Sequence, residues 1–493
     1  MLHLFSKAVI GKWTKIFGLC IFASCIVSCI DGYKDNTIWS SSVKDTQLES
    51  PAADKITIAF SADGTTQTIG WPLVPGAGGY SVSVYCVDDP DNPSVVGEEN
   101  QIVDGVSAKY PATEDTRYKV AIRTLGNPKN NNTEAATATE KFYDNMLPVT
   151  AIIPNGTNLT DYFTMNPIPV STTELCYELE AGGSYTMNGD IMQGMTAVTI
   201  RGDKVDHANV TAIDGSFVND GAGFKLKFID IDYSNFSGGS SNAIILMNST
   251  FNAVGMDLSE TGHLVIPTTA SIALQSCKFT GIKYYLFYDN SQKYAIGTFL
   301  IKDCIIGQNT NTFSNALIRF AAGIVKDFTM INSTIYNELA PSNSSNRFMQ
   351  ISANGSAANV KPTMETWSGG SLSITNCTFW QAGKEAQSFN SNGPMGNTSD
   401  KVTIQNNIFV DSYENGRIIS RFRRGNTSAV YSGGQNTQWY NGQLFTGSQD
   451  VTADVAYFTA DPMLTYLGNG EFRMAGATQI TARTGDPRWL PAK

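Results

Sequence analysis

An all-β protein is predicted, with a short sandwich ahead of a long solenoid of parallel strands. Three observations point there: a recurring strand-and-turn phrase, a run of alternating strands upstream of it, and a composition rich in turn and aromatic residues. The phrase occurs eight times between Val198 and Phe409. One copy is Leu372-Ser-Ile-Thr-Asn-Cys-Thr-Phe379, anchored on Asn376, and the others anchor on Gly202, Asp230, Asn248, Ser276, Asp303, Asn332 and Asn406. Apolar residues stand four and two positions before every anchor, and a small one (Ser249, Cys277, Cys304, Ser333, Cys377) follows most of them. Self-similarity of this kind marks a repeat architecture.

Anchors are separated by 28, 18, 28, 27, 29, 44 and 30 residues, so the usual unit is a little under thirty and has no helical period. Each unit carries a period-two strand whose alternate residues form one apolar face. A single strand cannot bury that face. Parallel stacking, one strand per coil, buries it as a continuous ladder, which is a parallel β-helix. Asn, Asp or Ser at seven of the eight anchors reads as a turn ladder. The step of 18 is short for a coil, which leaves the register around 230–248 open, and the step of 44 implies an insertion over 342–370.

Composition agrees. The 493 residues include 44 Gly, 25 Phe and 20 Tyr, which suits a turn-rich β protein. With 34 basic against 44 acidic residues the net charge is −10, which argues against nucleic acid as a partner.

Lys7, Lys12 and Lys15 precede a mostly apolar run from Ile16 to Ser28, which has the dimensions of an export signal and is too short to span a bilayer as a helix. Ile26-Val-Ser-Cys29 resembles the lipobox of bacterial lipoproteins, with Phe22-Ala-Ser-Cys25 a weaker second match. The resemblance implies a signal over 1–28, acyl chains such as palmitate on Cys29, a tether over 29–50, and a membrane partner through the lipid.

Beyond the leader the cysteines are Cys86, Cys176, Cys277, Cys304 and Cys377, an odd number at irregular spacing and so not a disulfide framework. Three of them share one repeat position and read as small packing residues. With no CxxC and only His207 and His263 past the leader, a histidine-based metal site or triad has little support.

Residues 51–145 show alternating strands at Ile56 to Phe60, Thr68 to Trp71, Tyr80 to Tyr85, Ser107 to Tyr110, Arg117 to Thr124 and Ala135 to Lys141. Ile69-Gly-Trp71, Gly78-Gly-Tyr80 and Arg117-Tyr118 are similar to the core Trp and strand Tyr residues of a fibronectin type III domain. That resemblance implies a spacer or interaction module without chemistry of its own. Residues 146–493 resemble the pectate-lyase-like right-handed β-helices: Tyr177 to Tyr185 with Val198-Thr-Ile-Arg-Gly202 looks like the opening coil, and Asp461-Pro-Met-Leu464 through Phe472 like the closing one. With the lipobox and the ending Gly485-Asp-Pro-Arg-Trp489, the layout resembles surface lipoproteins of bacterial polysaccharide-utilisation loci. The resemblance implies a polysaccharide partner, other glycan-utilisation surface proteins nearby, and an outer-membrane location facing outward.

A hydrolase of polygalacturonase type needs clustered carboxylates, and its Asn-Thr-Asp, Asp-Asp and Gly-His-Gly signatures are missing; Gly262-His263-Leu264 is the nearest approach, and Asp88-Asp89 lies in the sandwich. A lyase needs a Lys or Arg base and a cation such as Ca²⁺ on the uronate carboxylate. Arg319 and Arg421, on the similar strands Ala316 to Phe320 and Ile418 to Phe422, are the catalytic candidates for it. Arg319, Arg347, Arg417, Arg421, Tyr288 and Trp367 are the substrate-binding candidates, with Tyr284, Tyr285, Trp380, Trp439 and Tyr440 as further aromatic surfaces. Asp203, Asp206, Asp230 and Asp232 are the cation candidates. Three readings stay open: a surface polysaccharide binder, a lyase acting by β-elimination, and a structural or adhesin-like surface protein. No cofactor is expected beyond Ca²⁺ in the lyase case.

Overall fold

The computed structural model describes residues 43–249, 264–266, 272–292, 294–321, 323–342, 345–351, 370–389, 401–413, 430–445 and 457–492. Cys29, Trp367, Arg417 and Arg421, with the signal and most of the tether, lie outside these residues. The chain divides into two compact units, up to Leu147 and from Pro148 onward.

The first unit is a pair of antiparallel sheets. Thr57–Phe60, Thr66–Gly70 and Ser107–Pro111 form one; Ser94–Val95, Tyr80–Cys86, Arg117–Thr124 and Thr139–Asp144 form the other in that order, with Gln101–Val103 also pairing Tyr80–Cys86. Burial alternates strictly along Arg117–Thr124, as expected of a strand with one face in a core. Ile69, Trp71, Tyr80, Val82, Tyr118 and Val120 meet in that core. Trp71 packs edge-on to Tyr80 at 5.4 Å. The Tyr118 hydroxyl donates to the Thr113 carbonyl at 3.2 Å and accepts from the Thr113 amide at 2.7 Å, pinning one end of the sandwich. The last strand begins at Thr139, four residues later than its sequence pattern suggests.

The second unit is a parallel β-helix. Sheet one runs from Ala151–Ile153 to Val430–Gly434, sheet two from Ser184–Asn188 to Thr437–Tyr440, and sheet three from Ile191–Met192 to Glu385–Phe389; each full coil contributes one strand to each. Like does sit on like. Leu226, Leu274, Ile301, Met330, Ile374 and Ile404 are successive register partners on sheet one, each essentially unexposed. Phenylalanines fill the space between sheets, with ring pairs such as Phe379 and Phe409 at 4.8 Å and Phe287 and Phe320 at 4.9 Å.

The turn from sheet one to sheet two holds a residue in the left-handed region: Phe228, Ser276, Asp303, Asn332, Asn376, Asn406 and Gln435 have φ of 49 to 58°. Two of the sequence anchors are therefore corrected. The strand Phe224–Lys227 turns at Phe228 and not at Asp230, because a period-two pattern fits equally well when slid by two residues. Asn248 follows Ala243–Met247, which belongs to sheet three. Two further differences concern the segment after Ser342 and the C-terminal segment. Arg347–Ile351 is a regular strand of sheet three paired with Ala316–Phe320, so 342–370 is not wholly an insertion; residues 352–369 lie outside the described part. Leu464–Gly468 and Glu471–Met474 do not close the solenoid as a coil. They form an antiparallel hairpin that lies on the outer face of sheet two, where Tyr466 stacks on Trp380 at 4.7 Å.

Candidate functional site

The corner between sheets two and three is where side chains leave the repeat. The strand Lys278–Ile282 ends there, and Gly281 makes the turn possible: its φ is +70°, and a Cβ would lie 2.5 Å from the Ser234 amide nitrogen. Lys283 and Tyr284 follow on the corner, then the sheet-three strand Tyr285–Tyr288. On the next coil a longer loop, 309–315, joins Ile305–Gln308 to Ala316–Phe320. These segments and Ser240 and Ser241 enclose a groove of about 530 Å³.

Aromatic rings make its wall. Tyr285 stacks on Tyr288 at 4.6 Å, Phe313 meets Tyr285 edge-on at 5.0 Å, and Tyr284 meets Phe313 at 6.0 Å. Asn309, Asn311 and Asn315 supply amides, and Lys283 donates to the Phe236 carbonyl at 2.9 Å. Register puts Arg319 directly beside Tyr288 on the outer face of sheet three. Its guanidinium lies 5.8 Å from the Tyr288 ring centre and donates to the Asn315 side-chain carbonyl. Burial pushes the Tyr285 phenol above its ordinary value, and the Arg319 cation partly offsets this. Of the sequence candidates, then, Tyr288 and Arg319 are brought together, and Tyr284 and Tyr285 join them. Arg347 stands on the coil after Arg319, opposite Ala316 in register.

Loop 309–315 was not singled out from the sequence. Its signal is the polar run Gln308-Asn-Thr-Asn-Thr-Phe-Ser-Asn315, an interruption of the repeat that carries one aromatic residue.

Other candidates have different occupations. Trp380 is covered by the C-terminal hairpin, and Trp439 packs beside it against Ile408, Val410 and Leu490. The four aspartates do not form a cation site. Asp203 caps its own turn by accepting from the Val205 and Asp206 amides, while Asp230 pairs with His207 at 2.8 Å. Burial works to raise the Asp232 carboxyl, but bonds from Ser234 and Thr280 outweigh it and hold the group below its usual range. Among the described residues no three His, Cys, Asp or Glu side chains converge on a point that suits a metal.

What the groove offers is ring faces for the C–H side of a sugar and amides for hydroxyls, with the Arg319 guanidinium adjoining it behind Tyr288 and Asn315. No carboxylate lines it. An acid and base pair for glycoside hydrolysis is therefore missing from its wall.

Residues 10–182, 183–338 and 372–489 match three families, DUF4992, DUF4957 and DUF5123, each described as a domain of unknown function. No curated protein matches the chain in sequence. Among solved structures it is similar to a PL6 family alginate lyase, AlyGC, at 11% identity and a TM-score of 0.29, over 66% of this chain and 45% of that one. This chain thus spans less than half the length of that enzyme. It is also similar to the pectate lyase PelI from Erwinia chrysanthemi in complex with tetragalacturonic acid, at 9% identity and a TM-score of 0.14, over 64% and 87%. A family 28 exopolygalacturonase of Yersinia enterocolitica matches at 9% identity and a TM-score of 0.21, over 75% and 80%. These likenesses concern the β-helix fold.

Proposed function

We propose that this chain is a surface lipoprotein that binds polysaccharide, without cutting it, through the groove between sheets two and three. The carrying observation is the wall itself: Tyr284, Tyr285, Tyr288 and Phe313 beside three asparagines, with no carboxylate among its lining residues and Arg319 adjoining it through Tyr288 and Asn315. Arg319 inclines the site toward an anionic polymer such as a uronan. In this reading Cys29 carries the lipid on the outer membrane, 29–50 is the tether, and the fibronectin type III-like sandwich is a spacer or interaction module.

Elimination is the alternative, and Arg319 supports it poorly as a base. Its guanidinium is already engaged, held between Asn315 and the Tyr288 ring. The two readings separate in one set of assays. The mature protein is run through native gels containing polygalacturonate, alginate or a neutral glucan, and the same polymers are followed for unsaturated products with and without Ca²⁺. Retardation by a uronan without product is expected, and Tyr288→Ala should weaken it about tenfold, roughly 1.4 kcal/mol. Product that disappears in Arg319→Ala would establish the lyase, and no retardation by any polymer would refute binding.

A further inference from the structure

The corner that holds the groove continues along the solenoid. A second hollow of about 190 Å³ opens there, walled by Gln381, Lys384, Asp411, Tyr440 and Asn441, with Ala340 and Pro341 on its near side. Leu339 lines the first groove, so the two hollows meet at the loop of residues 339–341. The strand Lys278–Ile282 feeds the first hollow and Thr437–Tyr440 the second, five hydrogen-bonded steps later in sheet two. At about 4.8 Å per step that is about 24 Å, far more than one sugar ring occupies.

Two corner residues of the second hollow, Gln381 and Asp411, continue the register of sheet two. Trp380, Val410 and Trp439 are successive partners, and the chain leaves sheet two through Gln381 and Asp411, with φ of 50 and 46°, while the third strand reverses at Asn441 into the antiparallel Gln443–Leu444. Glycine would take that conformation without strain. The chain instead presents an amide and a carboxylate on two consecutive coils, and Asp411 accepts from the Asn441 backbone amide at 2.8 Å. Beneath them is Asn346, wholly buried with neither side-chain atom hydrogen-bonded, and its Oδ1 lies 3.0 Å from where a Cβ on Gly383 would stand. A buried amide left without a partner is costly, and Gly383, which lines the hollow, lies against it with no side chain between.

We infer that the two hollows are one trough for the interior of a linear polysaccharide lying along the solenoid axis. This rests on the polysaccharide-binding reading and extends it from a single subsite to a site of polymer length. Sugars in the first hollow are held by ring faces and asparagine amides, with Arg319 adjoining them behind Tyr288, and those in the second by Tyr440, Lys384 and the polar corner residues. Occupying both raises the effective concentration of each for the other, so affinity grows with chain length.

Calorimetric titration of the mature protein with size-fractionated oligogalacturonates and oligoalginates, dimer to decamer, tests this. Affinity of the unmodified protein should rise about tenfold or more between dimer and octamer. The double variant Lys384→Ala with Tyr440→Ala should lower octamer affinity about tenfold and leave dimer affinity unchanged, whereas Tyr288→Ala lowers both. Affinity that levels off at the dimer, or a folded double variant that binds the octamer normally, overturns the trough and leaves the first groove standing. No binding at any length in either series overturns the reading beneath it and the trough together.

Discussion

Asn407 shows how a single side chain holds several coils. Fully buried, it accepts from the Cys377 amide at 2.9 Å, donates to the Ile374 carbonyl at 2.9 Å, and through its own amides meets Asn436 at 3.0 Å. The preceding members of the same ladder are Cys277, Cys304, Ser333 and Cys377, all within 2% of complete burial. Their small size was legible as packing. The buried amide pair was not, because the recurring asparagines drew the eye to the anchor one residue earlier, where their role is to tolerate a left-handed turn. Asn407→Leu should cost about 2 to 4 kcal/mol by stranding an amide and a carbonyl in the core. The midpoint of chemical unfolding reads this out, and an unchanged midpoint would mean the ladder contributes no stability. At the groove, Tyr288 and Arg319 were legible as residue types, but their pairing depends on a coil-to-coil register that no local pattern in the sequence carries.

At the scale of elements, the C-terminal segment is the part whose role the sequence least foretold. The apolar and aromatic residues of 461–490 fit a last coil as well as a strap, and only its partners decide. Arg488 donates to the carbonyls of Asp303, Cys304 and Asn332, Asp486 accepts from Thr334, and Trp489 donates to the Thr334 hydroxyl. The strap therefore ties neighbouring coils across the outside of sheet two. Arg488→Ala leaves Asp486 buried without its cation and should cost about 3 kcal/mol. Burial pushes the Asp486 carboxyl above its ordinary value near 3.8, outweighing the Arg488 cation. The native state thus holds that proton more tightly than the unfolded chain. Its contribution falls as pH rises from about 3.8 to the raised native value, then stays level. Unfolding midpoints across that window should show the stability difference between the parent protein and Asp486→Asn shrinking as pH rises; a difference that grows would contradict the assignment.

The whole molecule follows from one rule with planned exceptions. Stacking of like residues builds the three sheets, and that much was legible because every coil repeats its sheet-one strand and turn. Sheet three was harder to read, since its strands follow loops of unequal length and start at no fixed distance from an anchor. Those same loops line the proposed trough, so binding is assigned to the least periodic residues of the solenoid. Hydrogen exchange with and without a bound uronan polymer tests that claim most directly. The account predicts slowed exchange at 283–288, 309–315, 381–384 and 440–442, with the sandwich and the outer face of sheet one unchanged. Protection confined to the sandwich or to sheet one, with the corner loops exchanging as before, would contradict it.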